Sequence, residues 1–393
     1  MLRRLSEPVA ARLSAATAGL PAPLAVVDLD AFDANADTLV SLAGGKPIRV
    51  ATKSLRSRPL IERALAHDGF EGLMCYAVRE ALWWAVAGHT NVLVAYPSVD
   101  VPALTRLATD PALTPAVTVM VDSVEHVDFI AREVPLHRGL RVAVDVDASL
   151  RVGPAHLGVR RSPTRNPADV EAVIRRAQEH GLVVTGLMFY EAQIAGLPDS
   201  SPVVRRMKRV SDTELRVRRA EVVAAARALV DLELVDGGGT GSLHVSHLDP
   251  SLTELAAGSG LFAPTLFDNY DALSLRPAAY FAAPVVRRPG EGFVTAYGGG
   301  YVASGPPDWS RVPSPLPEQE LELLRQEGAG EVQTPLRGPG ADRLSLGDRI
   351  WFRHAKAGEL AERFPEFVLV SSDGGDHVAG RAATYRGEGQ CFG

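Results

Sequence analysis

Lys53 closes the segment Ile48-Arg-Val-Ala-Thr-Lys53, a short apolar run preceded by a Gly-Gly-Lys-Pro turn. A lysine at the C-terminal tip of a β-strand, held against an apolar strand end, loses its proton more readily than a solvated one. The free amine can then form a Schiff base with an aldehyde. Two glycine-rich turns lie further along, Gly237-Gly-Gly-Thr240 and Gly258-Ser-Gly260. Such turns present main-chain N–H groups with no side chain in the way, a cradle suited to a phosphate dianion. Tyr190 and Arg151 complete the set: a phenol for a pyridine nitrogen, and a guanidinium for a phenolic oxygen or a substrate carboxylate. Taken singly, these are a loop lysine, two tight turns, a core aromatic and a surface arginine. Taken together they describe a pyridoxal 5′-phosphate site.

Such a site needs a scaffold that brings strand ends together. From residue 48, β-branched apolar runs alternate with stretches of helical periodicity. The runs cover 48–52, 73–76, 92–95, 117–121, 140–146, 183–189, 232–235 and 252–256. Strand–helix alternation implies a parallel sheet, and eight units are what a (β/α)₈ barrel requires. In a barrel the working groups sit at the C-terminal ends of strands, which is where Lys53, Tyr96, Asp122, Asp147, Tyr190 and both glycine turns fall. No Gly-x-Gly-x-x-Gly turn follows the first run, which disfavours an open dinucleotide-binding sheet. The expected fold is an α/β (β/α)₈ barrel over residues 30–270, with an all-β domain from 1–29 and 271–393. That domain takes the extra strand at 24–28 and carries a Pro/Gly-rich excursion at 304–340, with one helical patch at 318–326.

The composition fits this plan. A chain of 393 residues with 46% hydrophobic and 22% charged content has ample core for two domains. With 41 basic and 47 acidic residues the net charge is −6, which argues against an electrostatic nucleic-acid binder. Cys75 and Cys391 form no metal-spaced pair, so a reducing cytoplasm is expected. The first twenty residues, with Arg3, Arg4 and Arg12 among alanines and leucines, read as a surface helix and not a signal peptide. No run approaches the ~20 apolar residues of a membrane span, and no membrane partner is expected.

The chain resembles the fold-type III pyridoxal-phosphate enzymes, in the branch of D-threonine aldolase and D-serine dehydratase, and more distantly alanine racemase. The resemblance covers nearly the whole chain. It rests on Arg49-Val-Ala-Thr-Lys-Ser54, Cys75-Tyr-Ala-Val-Arg-Glu-Ala81, Asp147-x-x-x-Arg-Val-Gly153 and Gly186-Leu-Met-Phe-Tyr190. It continues through Gly237-Gly-Gly-Thr240, Gly258-Ser-Gly-Leu-Phe262 and Tyr385-Arg-Gly-Glu-Gly389. It implies that Lys53 carries the cofactor, that Tyr190 sits at the ring nitrogen, and that Gly238, Gly239, Thr240, Ser259 and Gly260 take the phosphate. It also implies a homodimer acting on a small amino acid. The family places a divalent metal on a His-x-Cys or His-x-Asp pair. The matching segment here is Arg353-His354-Ala-Lys356, and a protonated lysine cannot ligate a cation. Three arrangements follow: no metal, a metal on His354 with a group such as Glu359, or Lys356 itself supplying the positive charge. The metal-free arrangement is the expectation.

The implied function is a lyase for D-3-hydroxy amino acids such as D-threonine or D-serine, either an aldolase or a dehydratase. Either chemistry needs an electrophile near the β-hydroxyl, here His354 or Lys356. The alternative is an amino-acid racemase, with Tyr270 or Tyr280 of the other subunit opposite Lys53. A non-catalytic pyridoxal-phosphate carrier would resemble the barrel alone.

Overall fold

The computed structural model describes residues 8–393. All eight expected runs form strands. They are β2 (Ile48–Ala51), β3 (Phe70–Cys75), β4 (Val92–Pro97), β5 (Val117–Val121), β6 (Arg141–Asp145), β9 (Val183–Phe189), β10 (Leu234–Gly237) and β11 (Glu254–Ala257). They close in that order into one barrel, every pair parallel, with β11 returning to β2. The numbering leaves room for β1 (Leu24–Asp28) ahead of the barrel and for a small hairpin, β7 (Leu150–Val152) with β8 (Ala155–Leu157), after β6.

Strand alternation decides which side chains reach the active end. Ile48 and Val50 of β2 join the main core between strands and helices. Arg49 and Ala51 therefore face the barrel interior, and Lys53, in the turn Thr52–Ser54, continues that face. Likewise Leu187 and Phe189 pack outward while Met188 points inward, and Tyr190 follows Met188. The interior is mostly apolar, with Leu93, Ala95, Met120, Ala143, Met188 and Leu234 in one cluster. Arg49 is the buried cation among the polar exceptions, with Glu254 and Asp236 beside it. It is 2% exposed and binds Glu254 in a bidentate pair, Nε–Oε1 2.6 Å and Nη2–Oε2 2.8 Å. A charge taken out of water needs such a partner.

The second region is a nine-stranded sheet. Its strands are β1, β12 (Ala279–Gly290), β13 (Phe293–Tyr297), β14 (Ser314–Pro315), β15 (Glu322–Leu323), β16 (Gln333–Arg337), β17 (Arg349–Arg353), β18 (Glu366–Ser371) and β19 (His377–Ala383). The strand ahead of the barrel does join it: β1 lies between β12, antiparallel, and β18, parallel. Phe281 of β12 stacks on Phe352 of β17 at 4.9 Å. Such a pair contributes about 0.5–1.5 kcal/mol beyond its buried area.

The stretch 304–340 differs from expectation. In place of a helical patch at 318–326 there is a short 3₁₀ turn, Pro317–Gln319, and then strand β15. The turn ends at Glu320, in left-handed backbone at φ 54°, after which the chain is extended and pairs with β16. At the N-terminus, helix Val9–Ala16 matches the surface-helix reading, while Arg3 and Arg4 lie outside the described residues. No helix among the described residues is long and apolar enough to cross a membrane.

Candidate active site

A cavity of about 490 Å³ opens at the C-terminal end of the barrel. Lys53, Tyr190, Gly238, Gly239, Thr240, Ser259 and Lys356 all line it, so seven of the residues singled out from sequence converge. Lys53 Nζ donates to the Tyr96 hydroxyl at 2.5 Å. Burial raises the Tyr96 phenol, but the Lys53 charge and hydrogen bond, with Arg161, bring it below its ordinary value. This pair can hold a proton between nitrogen and oxygen.

The glycine turns form the opposite end. The N–H groups of Gly239, Thr240, Gly241 and Ser259 donate to no acceptor among the described residues. The loop is fixed from behind by Glu191, which accepts from Gly238 N at 3.1 Å and from Ser246 Oγ at 2.7 Å. Thr240 Oγ1 accepts from Gly260 N at 3.1 Å, tying the two turns together. Gly260 thus braces the cradle from outside the cavity wall. A Cβ at Gly241 would stand 2.1 Å from the Ala195 carbonyl oxygen, and one at Gly239 would stand 2.9 Å from Ala195 Cβ. Close approach of main chain requires glycine here. Free amides on glycine-rich turns, opposite an amine, fit a phosphorylated aldehyde cofactor.

Arg151 does not reach this cavity. It lies on the β7–β8 hairpin, half exposed, with Nη2 2.7 Å from Asp147. The guanidinium at the site is Arg161, ten residues on, 5.4 Å above the Tyr190 ring and 5.8 Å from that of Tyr96. Arg161 also borders a second chamber of about 260 Å³, lined by Asp122, Asp145 and Asp147. Burial, then Asp122, pushes the Asp145 carboxyl up to about 7. On the cavity floor, burial and then Glu254 push the Asp236 carboxyl well above the usual carboxylate range.

The β region supplies the remaining wall. A Cβ at Gly358 would stand 2.0 Å from the Lys53 carbonyl oxygen, so residues 354–358 run directly across the turn that carries Lys53. Main-chain bonds from Thr265 to His354 and Leu266 to Ala355 hold them there. Lys356 Nζ reaches into the cavity and donates to Ser304 Oγ at 2.9 Å. Beside it stands Arg311, whose Nε and Nη1 are buried with no hydrogen-bond partner among the described residues.

His354 is elsewhere. It is 2% exposed, edge-on to Phe262 at 6.1 Å, and does not line the cavity. Burial, then Arg353, pushes its pKa down to about 3, so the ring is neutral. A neutral imidazole is a good metal donor, but its surroundings are not a metal site. Lys356 and Arg311 offer only donor hydrogens. No group of three His, Cys, Asp or Glu among the described residues is placed to hold an ion. Tyr270 lines the cavity from within this chain, and its hydroxyl donates a hydrogen bond to the Ala195 carbonyl at 3.2 Å. Tyr280 is remote, bonded to the Pro277 carbonyl at 2.8 Å.

Sequence reading missed Arg161, Arg311, Ser304 and Glu191. Arg161 and Ser304 lie in irregular chain and Arg311 in a three-residue 3₁₀ turn, with no periodicity to mark them. Glu191 had a signal, since it directly follows Tyr190.

The chain is similar to a 3-hydroxy-D-aspartate aldolase of Paracoccus denitrificans, 26% identical over 243 residues, 61% of this chain and 60% of the relative. It is 25% identical to a D-threonine aldolase of an Arthrobacter species over 268 residues, 67% of this chain and 66% of the relative. These matches span less than two thirds of each relative. The crystal structure of D-threonine aldolase from Filomicrobium marinum superposes over 94% of this chain and 96% of its own, at 22% identity and a TM-score of 0.78, and shares the fold. Residues 27–262, more than half of the chain, match the alanine racemase N-terminal domain, and the chain belongs to that pyridoxal-phosphate-dependent family.

Proposed function

We propose that this protein is a pyridoxal-phosphate-dependent lyase acting on D-3-hydroxy amino acids. One observation carries the reading: Lys53 Nζ faces, across one cavity, a set of main-chain amides that have no acceptor among the described residues. When bound, the cofactor would supply an electron sink for the carbon bearing the substrate amine. The chain's own groups do the rest. Lys53 is the point of covalent attachment. The amides of Gly239, Thr240, Gly241 and Ser259 hold the phosphate. Tyr190 is offered to the ring nitrogen, where a phenol, unlike a carboxylate, does not enforce protonation. Arg161 takes the position expected of Arg151. The Lys53–Tyr96 hydrogen bond lies at the reacting end, and residues 354–358 of the β region cross the turn beside it.

The racemase alternative needs a second acid–base group across from Lys53. The Tyr270 hydroxyl of this chain donates a hydrogen bond to the Ala195 carbonyl, and burial raises its phenol, which favours the lyase. The reading extends to a cytoplasmic homodimer with no nucleic-acid partner. The unpaired Cys75 and Cys391 and the net charge of −6 support the compartment and the missing partner. Light scattering tests the dimer.

The deciding experiment incubates purified protein with D-threonine, D-serine, D-3-phenylserine and 3-hydroxy-D-aspartate. Glycine plus aldehyde means aldolase, and ammonia plus a 2-oxo acid means dehydratase. Loss of optical rotation without a carbonyl product would replace the lyase by the racemase.

A further inference from the structure

The β-region wall of the cavity is cationic where the resemblance to fold-type III lyases calls for a divalent metal. Its residues do not fit one: His354 is set behind Phe262 and does not line the cavity, Lys356 and Arg311 offer donor hydrogens, and Glu359 is left as a single carboxylate with no second ligand beside it among the described residues. We propose that Lys356 and Arg311 stand in for the metal, holding the negative charge that develops on the oxygen at the substrate's β-carbon, so that the protein works without a divalent ion. The inference rests on the lyase reading above.

Three observations support it. Lys356 is fixed, not floating: the chain on both sides of it is tied down, by Thr265 and Leu266 before and by the tight crossing at Gly358 after. Ser304 then orients the ammonium from one side only, leaving its other hydrogens for a ligand. Arg311 is held by the main-chain bond from Ala303 N to its carbonyl, 2.8 Å, and by contact with Gly305, where a Cβ would stand 2.6 Å from Nε. Its buried Nε and Nη1 have no acceptor among the described residues, and burying such donors is costly unless an anion arrives to accept from them. Finally, the wall contains one carboxylate against two cations. Glu359 accepts from Ser304 N at 2.8 Å, and its charge counters the burial that lowers the Lys356 ammonium, so the wall holds two cationic side chains to one carboxylate, the excess sign a metal would give. Preorganised cations of this kind stabilise a developing oxyanion without ligand exchange.

The test uses cofactor-loaded protein purified without added metal. Elemental analysis and calorimetric titration with Mn²⁺ and Zn²⁺ should find far less than one bound ion per chain, and EDTA should leave cleavage of a D-3-hydroxy amino acid intact. Lys356→Gln should lower kcat by about 10²–10³-fold with the cofactor's visible band unchanged, and neither ion should restore it. Lys356→Arg, which keeps the charge, should recover most of that loss. Stoichiometric metal in the wild type, removed by EDTA together with activity, would overturn the proposal, as would full activity in Lys356→Gln. Metal stoichiometry is read whether or not turnover occurs. A metal-free protein that cleaves none of these substrates would defeat the lyase reading itself and leave the cationic wall in place of a metal site.

Discussion

On the barrel side of the cavity, Lys53, Tyr96, Tyr190 and the turn from Gly238 each sit at or just past a strand end, held by eight closed parallel ladders. On the β-region side, Ser304 comes from irregular chain, Arg311 from the short 3₁₀ turn Trp309–Arg311 and Lys356 from a bend beyond β17. The difference separates two jobs. A cofactor that every member of a family must hold is served by the part of the fold that cannot shift without opening a sheet. The groups facing the variable end of a substrate hang on a few side-chain and main-chain bonds, where single substitutions can retune them.

If that division is right, damage on the barrel side should be the more complete. Lys53→Ala is expected to remove the visible cofactor band and to cost about 10³-fold or more in turnover. Borohydride reduction should tag the peptide containing Lys53. A tag on any other lysine breaks the assignment.

The barrel floor should also be costly to disturb. Arg49 and Glu254 form a bidentate pair inside the barrel, with Arg49 2% exposed. Arg49→Met leaves the Glu254 carboxylate buried without its counter-charge, beside Asp236, and should destabilise by about 3–5 kcal/mol. Denaturant midpoints at constant m-value would measure it. An unchanged midpoint would mean that the floor is wetter than its burial indicates.

A smaller effect is expected where only the cradle's fit is altered. Gly239→Val puts a branched carbon against Ala195, 2.9 Å from its Cβ, and forces the loop outward. Cofactor affinity should fall about tenfold, or 1.4 kcal/mol, read by titrating the apo form. Undiminished affinity would move the phosphate elsewhere.

The second chamber gives a pH test. Burial, then Asp122, raises Asp145 to about 7 in the folded state, against about 3.9 in an unfolded chain. The folded form therefore binds more protons between those values. Stability from this group is present below about pH 4 and is lost as pH rises through about 7. Asp145→Asn should flatten the fall in melting temperature across that window, while a parallel shift at all pH values would assign Asp145 a purely packing role.

The barrel was legible because apolar periodicity reports directly on which face of a strand is buried, and all eight runs could be counted that way. Lys53 and Tyr190 followed, since each continues an inward-facing register. Tyr96 was placed at a strand end, but not by register. Leu93 and Ala95 already face inward, and Tyr96 reaches the cavity because the β4–β5 register slips between Leu93 and Pro97. A bulge of that sort leaves no periodic mark. Arg311 was illegible for a related reason: its position depends on turns at Gly305 and Asp308 in a stretch with no repeating pattern. The helical patch at 318–326 failed because strand pairing with β16 overrode local propensity.

The gentlest test concerns two arginines ten residues apart. The Asp147-x-x-x-Arg-Val-Gly spacing pointed to Arg151, yet that side chain lies half exposed on a hairpin, paired with Asp147, which also accepts from Arg165 at 3.1 Å. Arg165 remains to neutralise Asp147 when Arg151 is lost, so Arg151→Ala should cost only about 0.2–1 kcal/mol in stability and leave cofactor affinity and kcat unchanged. Arg161 has no such substitute. It packs over Tyr96 and Tyr190 and lowers the Tyr96 phenol, after burial and Lys53 have acted. Arg161→Ala should therefore weaken cofactor binding and shift the alkaline limb of the pH–rate profile upward as the Tyr96 phenol becomes harder to ionise. If the two variants behaved in the opposite order, the hairpin would have to fold down onto the cavity when substrate binds, and the barrel side would be less fixed than its ladders imply.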